Sequence, residues 1–570
     1  MSTKPSPPLQ SRRPVLHVTV GSWLNDPCAP SYDAHTDTYH LFHQTNPSST
    51  QWGNMSWAHL TSADQLTWTP PADTETIALH PDQPYDCKGV FTGCWVPPSS
   101  PTDHTLRVIY SSVKHLPFHW STPPYPRNAA GLAIATSQNG GRTWQKEDEN
   151  PILRGEPECV EVTGFRDPYL AAWPAMDRML GREEPSLYGL VSGGIRGRGP
   201  TTFVYEVPPD DPTSWKLQGD LVEMPERFQP SHHWSGNYGL NWECVNFMTL
   251  TSGEVSREVL IIGAEGDVEK QHLWMSGPLV EEDGTVRMEY SSGGYLDHGT
   301  YYAANSFVDP KTGRRIVHGW IPEEDISAEF VERKGWNGSL AIPREVFLVR
   351  IFRVVKALRS EVPEISGFEQ QAEADGSLTL TTLGVRPIHE LTNARERCRQ
   401  KLKADVDTTS RDQDIRQQTF LFEATASTWD LEVTMDIHLG CKEAGLFIHH
   451  DEKHTVGTAI VFSLEHEAIT VDRSRTNTVE NCNRCPEKGP FTLFTTAEKD
   501  EEPVLEKLRL RIISDGDVLE VFANDRFALA TMVYREEASP SQGGITAFAS
   551  GAPGSTVVGS ATLWDGIGPT

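Results

Sequence analysis

The chain has 570 residues, 37% of them hydrophobic, with 45 Gly, 41 Pro and 16 Trp and a formal net charge of −28. That length exceeds one compact core, so two domains, or one large repeat domain with an appendage, are expected. The acidic balance, without clustered Lys and Arg, argues against a nucleic-acid or anionic-membrane partner and suits a neutral substrate better.

The first eighteen residues lack the apolar core of a signal peptide, and no later stretch is long and apolar enough to span a bilayer. Nine cysteines, an odd number, suit free thiols in a reducing compartment better than a disulfide framework. The expectation is a soluble, cytoplasmic chain. The sequons at Asn54 and Asn337 fall in segments expected to line a pocket, where a glycan would be disruptive, which favours the same compartment.

Trp23-Leu24-Asn25-Asp26-Pro27-Cys28 places an acid where a strand-like run meets a turn-forming Asn-Asp-Pro. From about residue 15 to 350 short β-rich runs alternate with Gly, Pro, Asn and Asp, among them 39–43, 106–111, 187–192, 201–207, 259–264 and 315–321. Helical periodicity is scarce, so the region reads as all-β. A turn leading to a tryptophan recurs, at 61–64 before Trp68 and at 136–141 before Trp144. Such hairpins are how propeller blades show in sequence, since each blade buries its faces against its neighbours.

Two further acids stand in settings like that of Asp26: Asp167 in Phe165-Arg166-Asp167-Pro168, and Glu243 in Asn241-Trp242-Glu243-Cys244. Inner strands of successive blades would bring all three to one funnel. Between about 355 and 415 the composition turns polar and acidic, then helix-forming over 388–400, and reads as a connection between domains. The strands that follow, from 420 to 549, suggest a β-sandwich with few catalytic candidates. The division expected is 1–355 catalytic, 356–415 linker with a short helix, and 416–570 sandwich. Cys482-x-x-Cys485 lacks a second Cys or His pair at zinc spacing and reads as a loop with two thiols. His232-His233 and His449-His450 are adjacent pairs whose side chains would point to opposite faces of a strand, so no metal or cofactor is expected.

Glycoside hydrolysis needs one carboxylate to attack, or to activate water, and one carboxylic acid to protonate the departing oxygen. Asp26 suits the first task and Glu243, with its longer reach, the second. The charge of Asp26 would raise the pKa of Glu243, and Arg166 would orient Asp167 to accept hydrogen bonds from sugar hydroxyls. A retaining mechanism requires the carboxyls of Asp26 and Glu243 to lie roughly 5 to 6 Å apart.

With these residues the chain resembles glycoside hydrolase family 32, the invertases, inulinases and fungal fructosyltransferases. The run Trp23 to Pro27 resembles the family's nucleophile motif, Arg166-Asp167-Pro168 its transition-state-stabiliser motif, and Glu243-Cys244 its acid/base motif. Supporting likenesses are Phe42 to Pro47, Trp52 to His59, Phe91 to Cys94, Tyr295 to Ala303, Gly335 to Glu345, Val471 to Ser474 and Val518 to Phe522. The resemblance implies a five-bladed β-propeller followed by a β-sandwich. It also implies a retaining attack of Asp26 on a β-fructofuranosyl unit, with Asn25, Gln44, Trp52, Arg166 and Trp336 shaping the fructose pocket. Cys28-Ala29, Phe91-Thr92-Gly93-Cys94 and the stretch Leu116 to Trp120 depart toward fungal transferase-like members, and they add Phe91, Thr92, His119 and Glu265 to the expected substrate contacts. The function expected is cleavage of sucrose and short fructooligosaccharides with transfer to sucrose when it is concentrated. A dedicated fructosyltransferase, an exo-inulinase and a non-catalytic fructan-binding propeller are the alternatives. Oligomeric state is not legible.

Overall fold

The computed structural model describes residues 9–10, 12–72, 74, 76–266, 270–282, 284–411, 415–497, 501–536 and 543–568. Much of the N-terminal segment behind the expectation of a cytoplasmic chain lies outside these residues.

The described chain is all-β. Turn residues break it into short antiparallel strands that pair with their sequence neighbours, and five sheets follow one another. The first is Trp23–Asp33, Thr38–Asn46, Ser56–Ser62 and Ile77–Leu79; the second is Gly89–Trp95, Leu106–Val113, Ala130–Ser137 and Gln145–Lys146. The third is Val162–Ala172, Leu187–Ile195, Gly199–Val207 and Lys216–Asp220, and the fourth is Asn241–Ser252, Val255–Glu265, Gln271–Gly277 and Ser292–Asp297. The fifth starts at Tyr302–Val308 and continues through Arg315–Ile321, Arg344–Lys356 and Leu378–Pro387 to Glu369–Ala372. The first strand of each sheet abuts the first strand of the next, and that of the fifth returns to that of the first. Five strands therefore stand around a common centre. They are buried along most of their length, as strands flanked on both sides must be.

Beyond the ring lie two six-stranded antiparallel sheets. Their facing residues, Leu431, Val433, Ile512 and Leu563 from one and Leu446, Ile448, Ile460 and Ile545 from the other, share one core. A second core joins the two halves of the molecule: Met248, Ile316, Val346 and Leu383 pack with Ile513, Val518, Phe522 and Ala530.

The segment expected to be a linker is largely built into sheets. Leu378–Pro387 pairs with Arg344–Lys356 and with Glu369–Ala372, and Gln400–Thr409 is an edge strand of the sandwich; Leu391–Arg395 is α-helical and Val362–Glu364 forms a 3-10 turn. Composition misleads here because both outer strands are edges. Glu369, Gln370 and Gln371, and the outward Lys401, Lys403 and Asp405, are polar residues that discourage further pairing on an exposed strand. His232 and His233 lie in a turn and not in a strand, whereas His449 and His450 end the strand Cys441–His450.

Candidate active site

Each strand facing the centre is interrupted by a β-bulge or register shift. The irregularities fall between Leu24 and Pro27, Val90 and Gly93, Arg166 and Pro168, Glu243 and Asn246, and Tyr302 and Asn305. Four of these strands hold a non-glycine residue in the left-handed region: Ala29 (φ 47°), Asp167 (φ 60°), Cys244 (φ 49°) and Ala303 (φ 51°). A bulge re-aims the side chains beside it and stores backbone strain, and both recur where sites are built. Here the bulges bring Asp26, Thr92, Asp167, Glu243 and Tyr302, one from each sheet, onto a single cavity of about 580 Å³.

Asp26 is held by short donors. Asn25 Nδ2 donates to its Oδ1 at 3.0 Å, while the Thr92 hydroxyl and Gln44 Nε2 (3.3 Å) donate to Oδ2. Gln44 Nε2 also reaches the Thr92 oxygen at 2.6 Å, and its Oε1 accepts from Asn25 at 3.1 Å. Trp23 Nε1 donates to Asn25 Oδ1 at 2.8 Å, which fixes that amide. The orientation of Asp26 is thus decided by four neighbours. Burial pushes its carboxyl above the usual range, with the charge of Glu243 adding and the Thr92 and Asn25 hydrogen bonds opposing.

Asp167 is deeper, with 4% of its surface exposed. The Cys244 backbone N–H donates to its Oδ2 at 3.4 Å, and its own N–H donates to Ser111 Oγ at 2.7 Å. Burial, with the charges of Glu243 and Asp26, holds its carboxyl well above the usual range against the pull of Arg166. Acids gathered this closely release their last protons at higher pH than separate carboxyls would.

Arg166 is an ion-pair neighbour of Asp167, as expected, but its hydrogen bonds go to other acids. Its Nε stands 3.8 Å from Asp167 Oδ2, whereas Nε donates to Glu243 Oε1 at 3.2 Å and Nη2 donates to Glu243 and to Glu265 Oε2 (3.1 Å). Burial works against the guanidinium charge, and Glu243, Glu265 and Asp167 together hold its pKa well above the ordinary value. Tyr302 completes the setting of Glu243, its hydroxyl donating to Oε2 at 2.9 Å. Glu265 also takes Asn241 Nδ2 at 3.0 Å and faces His119 Nε2 at 3.4 Å. Although burial opposes it, the His119 hydrogen bond and the charges of Arg166, Lys270 and His119 hold Glu265 down to about 2.

Of the residues expected to touch substrate, Asn25, Gln44, Trp52, Phe91, Thr92, His119, Arg166 and Glu265 line the cavity with the three acids. Trp52 sits at the rim, half exposed, with its ring edge-on to Phe91 at 6.2 Å. Trp336 does not line the cavity. It is 2% exposed, and Lys334 Nζ lies 3.3 Å from its ring centroid. The neighbouring Asn337 explains the motif in another way: its carbonyl accepts from Leu24 N–H at 2.9 Å and its N–H donates to Ser22 at 3.1 Å, so the segment braces the strand carrying Asp26. Neither sequon lines the cavity, since Asn337 is buried and donates to the Thr50 carbonyl, and Asn54 is exposed beside the cavity-lining Trp52.

Sequence reasoning missed Lys270, Trp320 and Glu324, which also line the cavity. Lys270 Nζ stands 5.2 Å from the Tyr302 ring centroid, and Trp320 packs on Trp23 at 5.8 Å. The Lys270-Gln271-His272 run had no pattern to flag it, and Trp320 closes an ordinary strand. Among the described residues no group of three or more His, Cys, Asp or Glu is arranged to hold a metal ion. What the cavity offers is a buried carboxylate held for attack, a second carboxyl reachable for proton transfer, and a third deep enough to grip hydroxyls.

The model of the glycosyl hydrolases family 32 N-terminal domain matches residues 17–356, and that of the family's C-terminal region matches 390–565. The chain is 28% identical over 347 residues to a fructan 6-exohydrolase of Beta vulgaris, covering 57% of this chain and 50% of that protein. It thus spans about half the length of that relative. To a cell-wall β-fructofuranosidase of Pisum sativum it is 25% identical over 553 residues, covering 90% of this chain and 86% of the other. Among solved structures, an Aspergillus kawachii β-fructofuranosidase complexed with glycerol superposes with a TM-score of 0.88 at 25% identity, over 99% of this chain and 96% of that one.

Proposed function

The chain belongs to glycosyl hydrolases family 32, and we propose that it is a retaining β-fructofuranosidase that cleaves sucrose and, at high sucrose, transfers fructose to it. The observation that carries this reading is the convergence of Asp26, Asp167 and Glu243, from three different sheets, on one cavity. We read the five sheets, from Trp23 to Pro387, as a five-bladed β-propeller carrying the chemistry, and the two outer sheets as a β-sandwich.

In this mechanism Asp26 attacks the anomeric carbon of the fructosyl unit while Glu243 protonates the glycosidic oxygen, and glucose departs. The oxygens of Asp26 already face the donors Asn25, Thr92 and Gln44, so little reorganisation precedes attack. Asp167 grips ring hydroxyls as positive charge builds. Glu243, now ionised, removes a proton from water or from a sugar hydroxyl, and the new oxygen displaces Asp26. Arg166 and Tyr302 keep Glu243 in place through both steps. Hydrolysis and transfer share all of these groups and differ in which hydroxyl reaches the fructosyl-enzyme.

The test is a time course with sucrose from dilute to molar. Equal glucose and fructose in dilute sucrose, with glucose in growing excess and a trisaccharide as sucrose rises, is the expected result. A ratio fixed at one with no trisaccharide would leave hydrolysis alone, and preferential release of fructose from long inulin would move the reading to an exo-inulinase. A cytoplasmic location is part of the reading and rests on nine free cysteines. Recovery of the native protein from the culture medium would overturn it.

A further inference from the structure

The outward face of one sandwich sheet carries an apolar cluster that belongs to neither core. Strand alternation sends Leu446 and Ile448 inward, and it sends Phe447 out, where it packs with Ala459, Val461 and Phe548. Two glycines make room for the rings. A Cβ on Gly445 would stand 3.0 Å from Phe548 Cζ, and one on Gly457 would stand 2.6 Å from Phe447 Cζ. A guanidinium lies over each ring: Arg475 Cζ is 5.6 Å from the centroid of Phe447, and Arg416 Cζ is 4.5 Å from that of Phe548. His450 stacks on Phe447 at 5.2 Å, and His454 lies 5.5 Å from the same ring. Between these groups is a cavity of about 120 Å³, lined by Arg416, Gln418, Phe447, Asp472 and Arg475 among others.

We propose that this depression is a second carbohydrate site, on the sandwich, taking one unit of a neutral oligosaccharide. A sugar ring shows an apolar C–H face and a rim of hydroxyls. The matching surface is an aromatic edge ringed by flat polar groups whose donors and acceptors are fixed in place. Arg416 is held by Glu443 at 3.0 Å and by its ring, and Arg475 by the His454 carbonyl and its ring, so both present N–H donors without further ordering. Gln418 and Asp472 supply acceptors. The two arginines are offset by Glu443 and Asp472, and that balance favours a neutral ligand over an anion. The choice of a fructosyl oligosaccharide as the ligand rests on the function proposed above, whereas the site itself does not.

The full chain carrying Asp26→Ala, which halts turnover in the proposed mechanism, is titrated with 1-kestose by calorimetry and by saturation-transfer NMR. Two classes of site are expected. On that background Arg475→Ala and Gln418→Ala should each weaken one class at least tenfold and leave the other unchanged. Arg475→Ala alone should keep sucrose turnover within twofold. A one-site isotherm overturns the proposal, and so does a second class that survives both substitutions together. If sucrose is cleaved but one site is found, this inference fails by itself. If sucrose is not cleaved and the second class is present, the enzymatic reading fails and the site stands.

Discussion

Arginines and carboxylates are buried together both in the cavity and at the junction of the two halves, with opposite results. At the junction of the two halves, Arg344 Nη2 donates to Glu520 Oε2 at 2.7 Å, and His17 bridges Glu520 (2.9 Å) and Asp515 (2.9 Å), all at 0% side-chain exposure. Backbone N–H groups of Val15, Leu16 and His17 add to Asp515. Burial opposes every one of these charges, yet Asp515 is held below the usual range and Glu520 down to about 2, while His17 is raised to about 9. In the cavity, burial instead pushes Asp26 and Asp167 upward. The charge of the donors separates the two places: His17 and Arg344 serve the junction acids, and neutral Asn25, Thr92 and Gln44 serve Asp26. Asp297, which accepts from the Gly299 and Ala530 N–H groups at 2.7 and 3.1 Å and faces Arg344 Nη1 at 2.8 Å, is pushed up by burial nonetheless. A buried acid matched by cationic donors serves as structure, whereas Asp26, held by the neutral donors Asn25, Thr92 and Gln44, keeps a raised pKa of the kind found at reacting groups.

The comparison breaks first if catalysis and stability fail to separate. Asp26→Ala and Glu243→Gln should each lower sucrose turnover by several orders of magnitude while the thermal midpoint stays close to that of the parent. The double variant should be little worse than the stronger single one, since nucleophile and acid/base act as a unit. Near-native turnover in either single variant would remove that residue from the mechanism. Arg344→Met should do the reverse. Leaving Glu520 short of a partner at a fully buried site is expected to cost about 3–5 kcal/mol of stability, read by urea unfolding, with turnover per folded molecule unchanged.

A third outcome sharpens the junction half through pH. The folded pKa of His17, about 9, lies above the ordinary 6.5, so its contribution is fully present below about 6.5 and is lost as pH rises through 9. The size is on the order of 3 kcal/mol at neutral pH and below. The gap in unfolding free energy between the parent and His17→Gln should therefore narrow between pH 7 and 10. A gap constant across that range would mean that His17 is not charged in the folded chain.

Legibility follows the same division. Asp26, Asp167 and Glu243 stand in short motifs that show in sequence, and the neighbours held in those motifs, Asn25 and Arg166, came with them. What sequence concealed was partnership. Arg166 serves Glu243 and Glu265 more than Asp167, and the segment of Trp336 braces the strand of Asp26 through Asn337, because a motif records that a segment matters and not which atoms it faces. The bulges that aim the site were hidden too, since left-handed Asp167 and Cys244 carry no glycine to announce them. The strands Glu369–Ala372 and Gln400–Thr409 were hidden by the polarity an edge requires. The junction was not legible as a cluster: Arg344 and Glu520 fall in matched motifs, but His17, Arg344 and the pair Asp515 and Glu520 are far apart in the chain and meet only after folding.

Glu265 is the intermediate case, a cavity acid satisfied as a junction acid is, and His119 tests which half it follows. The His119 imidazole is 39% exposed on its side chain and meets Glu265 at 3.4 Å, a long contact that water can replace. Removing an exposed partner of this kind costs roughly 0–1 kcal/mol, so His119→Ala should leave the thermal midpoint unchanged within error. Arg166 and Asn241 still hold Glu265 in that variant. The wall loses a polar group beside the acids, and sucrose should bind a few-fold more weakly, with KM raised and kcat within twofold. A fall in kcat with KM unchanged would place His119 in the transition state and not at the wall. A fall in stability of 2 kcal/mol or more would make the His119–Glu265 pair a structural tie like His17–Glu520, and the division between cavity and junction would lose its boundary.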